Sequence, residues 1–144
     1  MVKMIFINLP VTDLARSTAF YEALGAEKNA QFSDHTASCI VFSDTIHAML
    51  LTHEKWRQFT DKRIPDARET AQVLLCLSEE SREDVDALVR RAEAAGGVAD
   101  PMPAQDYGSM YGRSFEDLDG HIWEAMWMDQ AFADEHHPVD ALAA

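Results

Sequence analysis

The chain is written twice, and that repetition restricts its fold more than any other feature. Residues 4–9 form an apolar run bounded by Pro10, after which Thr12 and Asp13 supply N-cap chemistry for a helix that runs to Leu24 and stops at Gly25. Residues 73–77 repeat the apolar run, Ser81 with Asp84 three residues on opens a second helix, and Gly96-Gly97 closes it. Asp13 and Asp84 each stand twelve residues before a glycine, Gly25 and Gly96.

In the second helix Val85, Leu88, Val89, Ala92 and Ala95 recur at helical spacing and define one buried stripe, while the opposite face is charged. Leu14, Thr18, Tyr21 and Leu24 form a rougher stripe on the first, with Phe20 beside it. About thirty residues after each helix read as three strands. They are 26–32, 36–42 and 45–53 in the first copy, with turns at Ser33-Asp34 and Ser43-Asp44. In the second copy they are 98–102, 110–115 and 121–128, with Asp119-Gly120 as the last turn. Pro101 and Pro103 predict a short edge strand. The reading is an α+β chain of two tandem βαβββ modules: module 1–53 and module 71–128, joined by linker 54–70 into one domain, 1–128. A short helix is expected in the linker, and the acidic tail 129–144, which contains His136 and His137, is expected to be loosely held.

At 144 residues and 47% apolar composition the chain can bury a core without staples. Cys39 and Cys76 lie inside apolar runs and read as small buried thiols, which implies a reducing compartment. The N-terminal apolar run is too short for a membrane span and lacks a cleavage site, so a cytoplasmic protein is expected. A formal charge of −13 argues against a nucleic-acid partner, which needs a basic footprint. Five of the twelve basic residues, Lys55, Arg57, Lys62, Arg63 and Arg68, fall in the linker, where they read as a solvated segment or as an attraction for an anion. No phosphate loop, Cys-x-x-Cys pair or Gly-x-Ser-x-Gly elbow is present.

The βαβββ order, with Asp13-Leu14 followed by Ser17, Phe20 and Tyr21, and with Asp117-x-Asp119-Gly120-His121-x-x-Glu124, resembles the vicinal oxygen chelate superfamily of glyoxalases, bleomycin-resistance proteins and extradiol dioxygenases. The resemblance spans residues 4–128 and implies a cupped mixed sheet with helices on its convex side. It further implies a divalent metal held on the concave face by side chains of the first and last strands of each module. Carried onto this chain, those positions are Phe6, Met49, Gln72 and Glu124. A phenyl ring cannot ligate, and one carboxylate with one amide is fewer than the three protein ligands a catalytic zinc usually has. The implied metal site is therefore incomplete, unless His47 replaces a lost ligand beside Gln72 and Glu124.

Strand alternation places Phe6 and Asn8, then His47, Met49, Leu51 and His53, then Gln72, Leu74 and Cys76, and finally Ile122, Glu124, Met126 and Met128 on the concave side. Glu124, a carboxyl in an oily hollow, is the candidate catalytic base for proton transfer next to a carbonyl; the alternative is a structural pair with Arg113. His47 reads as a packed histidine or a substitute ligand, and Gln72 as a ligand-orienting amide or a strand-edge cap. His121 projects to the helix side. Segment 105–113 reads as a mobile rim whose Tyr107, Tyr111 and Arg113 hold a substrate, or as a hairpin. Trp123 and Trp127 are expected to pack under the helices or at a subunit contact. The resemblance implies a small-molecule ligand and a homodimer, and leaves open a glyoxalase-type lyase or isomerase, a dioxygenase relative and a metal-free sequestration protein.

Overall fold

The computed structural model describes residues 1–135. Two modules follow one another. In the first, β1 (Ile5–Val11), α1 (Leu14–Ala23), β2 (Glu27–Asn29), β3 (Ala37–Val41) and β4 (Ile46–Thr52) build a sheet of order β1-β4-β3-β2, with β1 parallel to β4. After the short α2 (His53–Trp56), the second module runs β5 (Leu75–Ser78), α3 (Arg82–Ala94), β6 (Val98–Ala99), β7 (Gln105–Asp106), β8 (Met110–Glu116) and β9 (Ile122–Met128). Its sheet has the matching order β5-β9-β8-β6, with β5 parallel to β9 and the added β7 paired to β8. The two ladders are separate sheets rather than one continuous ladder. The α+β architecture of two βαβββ modules is thus present, and the packing of side chains is what joins the halves.

Both helices form as the capping chemistry dictates. The Asp13 carboxylate accepts the Arg16 N–H and Ser81 accepts that of Asp84, while Gly25 and Gly96 both take φ of +103° to end the helices. Val85, Leu88, Val89 and Ala92 are buried, as their spacing requires. Their stripe joins Leu9, Val11, Phe20, Tyr21, Leu50, Phe115 and Trp123 in a core shared by the two modules. Within it the Tyr21 ring meets Trp123 edge-on at 5.9 Å and Phe42 at 6.2 Å. No helix among the described residues is long and apolar enough to cross a membrane.

Several element ends depart from the sequence reading. The strand expected over 26–32 stops at Asn29, whose side chain accepts the Gln31 N–H and whose carbonyl accepts the Ser33 hydroxyl; a 3₁₀ turn, Ala30–Phe32, results. The fifth strand begins at Leu75 instead of Val73, its first paired residue standing opposite Trp123 of β9. The edge strand expected over 98–102 closes after Ala99, where Asp100 takes φ of +51° ahead of Pro101. Strand β7 lies in the segment expected as a mobile rim. The described part of the tail contains α4 (Gln130–Glu135), while His136 and His137 lie outside the described residues.

Candidate functional site

Alternation along the strands separates two faces in each sheet. On β1, Leu9 and Val11 are buried against the core, while Phe6 and Asn8 on the other face are exposed. On β4, Ala48 and Leu50 pack inward and His47, Met49 and Leu51 share the opposite face. The parallel register sets Phe6 beside His47 and Asn8 beside Met49, and the Phe6 and His47 rings stack at 4.5 Å with an interplanar angle of 15°. His47 is only 7% exposed, and its Nδ1 is buried without a hydrogen-bond partner.

On the second sheet, Cys76 and Ser114 flank Glu124 in register, and Gly112 flanks Met126. These residues line a cavity of about 250 Å³ closed by Met102, Pro103, Gln105, Tyr107 and Met110. Its walls combine thioether, proline and aromatic surface with the polar groups of Gln105, Arg113, Ser114 and Cys76 around one carboxylate. Glu124 makes no side-chain hydrogen bond or ion pair among the described residues, and the structural pair with Arg113 is not formed. Cys76 is open to this cavity instead of buried as its apolar neighbours suggested. Desolvation of the thiol, followed by the charge of Glu124, raises its pKa.

Tyr111 stands on the other face of β8, and Arg113 borders the cavity while its guanidinium reaches back to the same side as Tyr111. The Tyr111 hydroxyl donates to Asp86 of α3 at 2.6 Å, and Arg113 forks onto Asp100 and also reaches Asp86. Hydrogen bonds from Tyr111 and Arg113 hold Asp86 below the usual carboxylate range, and Arg113 does the same for Asp100. Tyr107 is 69% exposed at the mouth of the cavity. Gln72 precedes β5, is exposed and does not line the cavity. His53 opens α2 and faces the linker, and His121 Nε2 lies 2.8 Å from the Pro10 carbonyl. The candidate residues are therefore split: Phe6, Asn8, His47 and Met49 on one sheet, Glu124 and Met126 on the other, and the cavity beside Glu124 is lined by none of the first group.

This arrangement bears on the metal that the resemblance implies. Among the described residues no three His, Cys, Asp or Glu side chains gather closely enough to hold an ion. Phe6 offers no donor atom, Met49 offers a soft thioether, and Gln72 lies away from Glu124's cavity, so the donor set of one chain does not fit a divalent cation.

The structure also gives work to residues the sequence left as a bare motif. Asp119 Oδ1 accepts from both the N–H and hydroxyl of Thr12, and Oδ2 accepts from Ser17. Asp117 accepts from the Tyr21 hydroxyl at 2.5 Å, and Tyr21 in turn accepts from Trp123 Nε1 at 2.9 Å. Ser17 and Tyr21 in one motif are thus the partners of Asp119 and Asp117 in the other. Arg82 clamps the β7–β8 hairpin: its guanidinium forks onto Asp106, donates to the Gly108 carbonyl and lies over the Tyr111 and Trp127 rings at 4.9 and 5.3 Å.

Residues 3–125 match the family model described as the Glyoxalase/Bleomycin resistance protein/Dioxygenase superfamily. Among solved structures, a hypothetical protein from S. aureus is 27% identical, with 88% of this chain and 94% of that chain covered and a TM-score of 0.73. A family enzyme from Burkholderia phytofirmans is 19% identical over 88% of this chain and 99% of that one, at a TM-score of 0.71. The fosfomycin resistance protein FosX from Listeria monocytogenes is 20% identical over 91% and 97%, at 0.66. No curated protein matches the chain.

Proposed function

Because the chain belongs to the glyoxalase/bleomycin resistance protein/dioxygenase superfamily, we propose that it binds a compact organic molecule on the concave face of its second sheet and sequesters it without a metal. The observation that carries this reading is the unpaired Glu124 carboxylate inside a cavity walled by Met102, Met110, Met126 and Pro103. Methionine and proline walls, with Glu124 unpaired while Arg113 is held by Asp86 and Asp100, favour a ligand with an apolar body and a hydrogen-bond-donating or cationic group. Methionines adapt to irregular shapes, which suits a binder of varied compounds. At about 250 Å³ the cavity lies at the low end for small-molecule sites, which favours a compact ligand.

A homodimer belongs to the same proposal. Ile5 and Phe6 on β1 are 53% and 49% exposed, and Val73 and Leu74 before β5 are each 60% exposed. A second copy laid over this apolar surface would bring the Phe6–His47 face of one chain towards the Glu124 face of the other.

The same unpaired carboxylate supports a second reading, in which Glu124 takes a proton next to a carbonyl and the protein is a metal-free lyase or isomerase. Calorimetric titration with a panel of arylalkylamines and neutral aryl alcohols, with fosfomycin as an anionic probe, tests the first. Sequestration predicts saturable amine binding weakened at least about tenfold, roughly 1.4 kcal/mol, by Glu124→Gln. Absence of binding, or equal binding by the variant, removes it. Turnover of a carbonyl substrate by metal-free protein, abolished by Glu124→Gln, would replace it with the base mechanism.

A further inference from the structure

A cavity about twice the size of the one beside Glu124 lies at the linker end of β1. It measures about 500 Å³ and lies between the linker, the end of β1 at Pro10 and the turn carrying Asp119 and His121. Arg57, Lys62, Arg63 and Arg68 line it together with the imidazoles of His53 and His121. Three carboxylates also reach it. Asp119 is occupied by Thr12 and Ser17, Asp66 accepts the Arg68 N–H, and Asp61 remains. Four fixed cations against three carboxylates leave one positive charge here, in a chain whose formal charge is −13.

Two observations separate this pocket from a solvated loop. The linker is docked: Arg68 Nη2 donates to the Leu118 carbonyl at 2.7 Å, and the backbone of Ala67 and Arg68 presses so closely on Gly120 that a Cβ there would lie 2.7 Å from Arg68 N. The opposite wall is fixed by His121 against the Pro10 carbonyl. The cations are also uncommitted. Every ion pair among the described residues involves Arg82 or Arg113, so Arg57, Lys62 and Arg63 have no carboxylate partner. Concentrating unpaired guanidinium groups around a formed hollow costs electrostatic repulsion, which a multiply charged anion relieves, and the planar guanidinium matches phosphate oxygens two at a time.

We infer that this pocket is a second binding site, for a small phosphate-bearing anion, sharing no lining residue with the cavity beside Glu124. The test is calorimetric titration of the full chain with inorganic pyrophosphate at about 0.15 M salt, so that diffuse attraction is screened. Saturable one-to-one binding is expected, weakened at least about tenfold by Arg57→Gln with Arg63→Gln. The control removes two positive charges elsewhere, Lys3→Gln with Lys28→Gln, and should change the affinity less than about twofold. All four side chains are exposed, so both double variants should fold, which circular dichroism checks. No saturable binding, or equal weakening by the two pairs, overturns the inference.

Discussion

Tyr21 has no exposed surface, and its hydroxyl is both donor to Asp117 and acceptor from Trp123. Desolvation, then the charge of Asp117, pushes its pKa well up, so it stays a neutral donor. Asp117 is itself raised, chiefly by burial, while its hydrogen bond from Tyr21 works the other way. Tyr21→Phe would leave both partners buried and short of a bond, at a cost of roughly 2–3 kcal/mol in urea unfolding. A change within about 0.5 kcal/mol would show that water replaces the hydroxyl. Asp106 carries the opposite sign. The Arg82 guanidinium lowers its pKa to about 2, so the folded value lies below the unfolded one. Its contribution is present above the ordinary carboxylate value and is lost as pH falls towards 2. Asp106→Asn should therefore be less stable than the parent at pH 7, with the difference vanishing near pH 2. A pH-independent difference would mean that the pair acts by shape alone.

Among the elements, the last turn of the second module couples three segments: Asp119 caps the entry to α1, Asp117 reaches Tyr21, and Gly120 admits the linker. Only glycine takes φ of +97° readily, and only an absent side chain leaves room for Ala67 and Arg68. Gly120→Ala is expected to lose about 1–3 kcal/mol through backbone strain. It should also release the linker, seen as faster proteolysis between residues 57 and 68. Unchanged protection would show that the linker holds by other contacts. The helices and long strands were legible in the sequence because caps and alternation are local signals. Strand β7 was not, because Gln105 and Asp106 pair only through a tight turn clamped from α3 by Arg82, a residue 24 positions from Asp106.

For the whole molecule, the shared core explains why neither module closes its own apolar face, since Phe20 and Tyr21 of one pack on Phe115 and Trp123 of the other. Among the large apolar residues the core leaves exposed are Ile5 and Phe6 on β1 and Val73 and Leu74 before β5. Phe6→Glu should convert the proposed dimer to monomer by light scattering, with little loss of stability, because this ring already meets water. A dimer that persists unchanged would place the contact elsewhere. The face that carries Glu124 followed from alternation, and its neighbours Cys76 and Ser114 are set by register. The sequence left Tyr111 and Arg113 open between a substrate rim and a hairpin; on β8 the two bond to Asp86 and Asp100, and Arg113 also borders the cavity.

By itself the sequence determined the two-module plan, the helix limits and which side of β9 bears the carboxylate, because 3.6- and 2-residue periods and capping side chains act over a few positions. Only the tertiary structure decided that the two motifs grip each other through Ser17–Asp119 and Tyr21–Asp117, that Gln72 falls short of β5, and that the linker's cations surround a hollow. These depend on which distant segments meet, and a linear pattern of residue types carries no record of the distance between them.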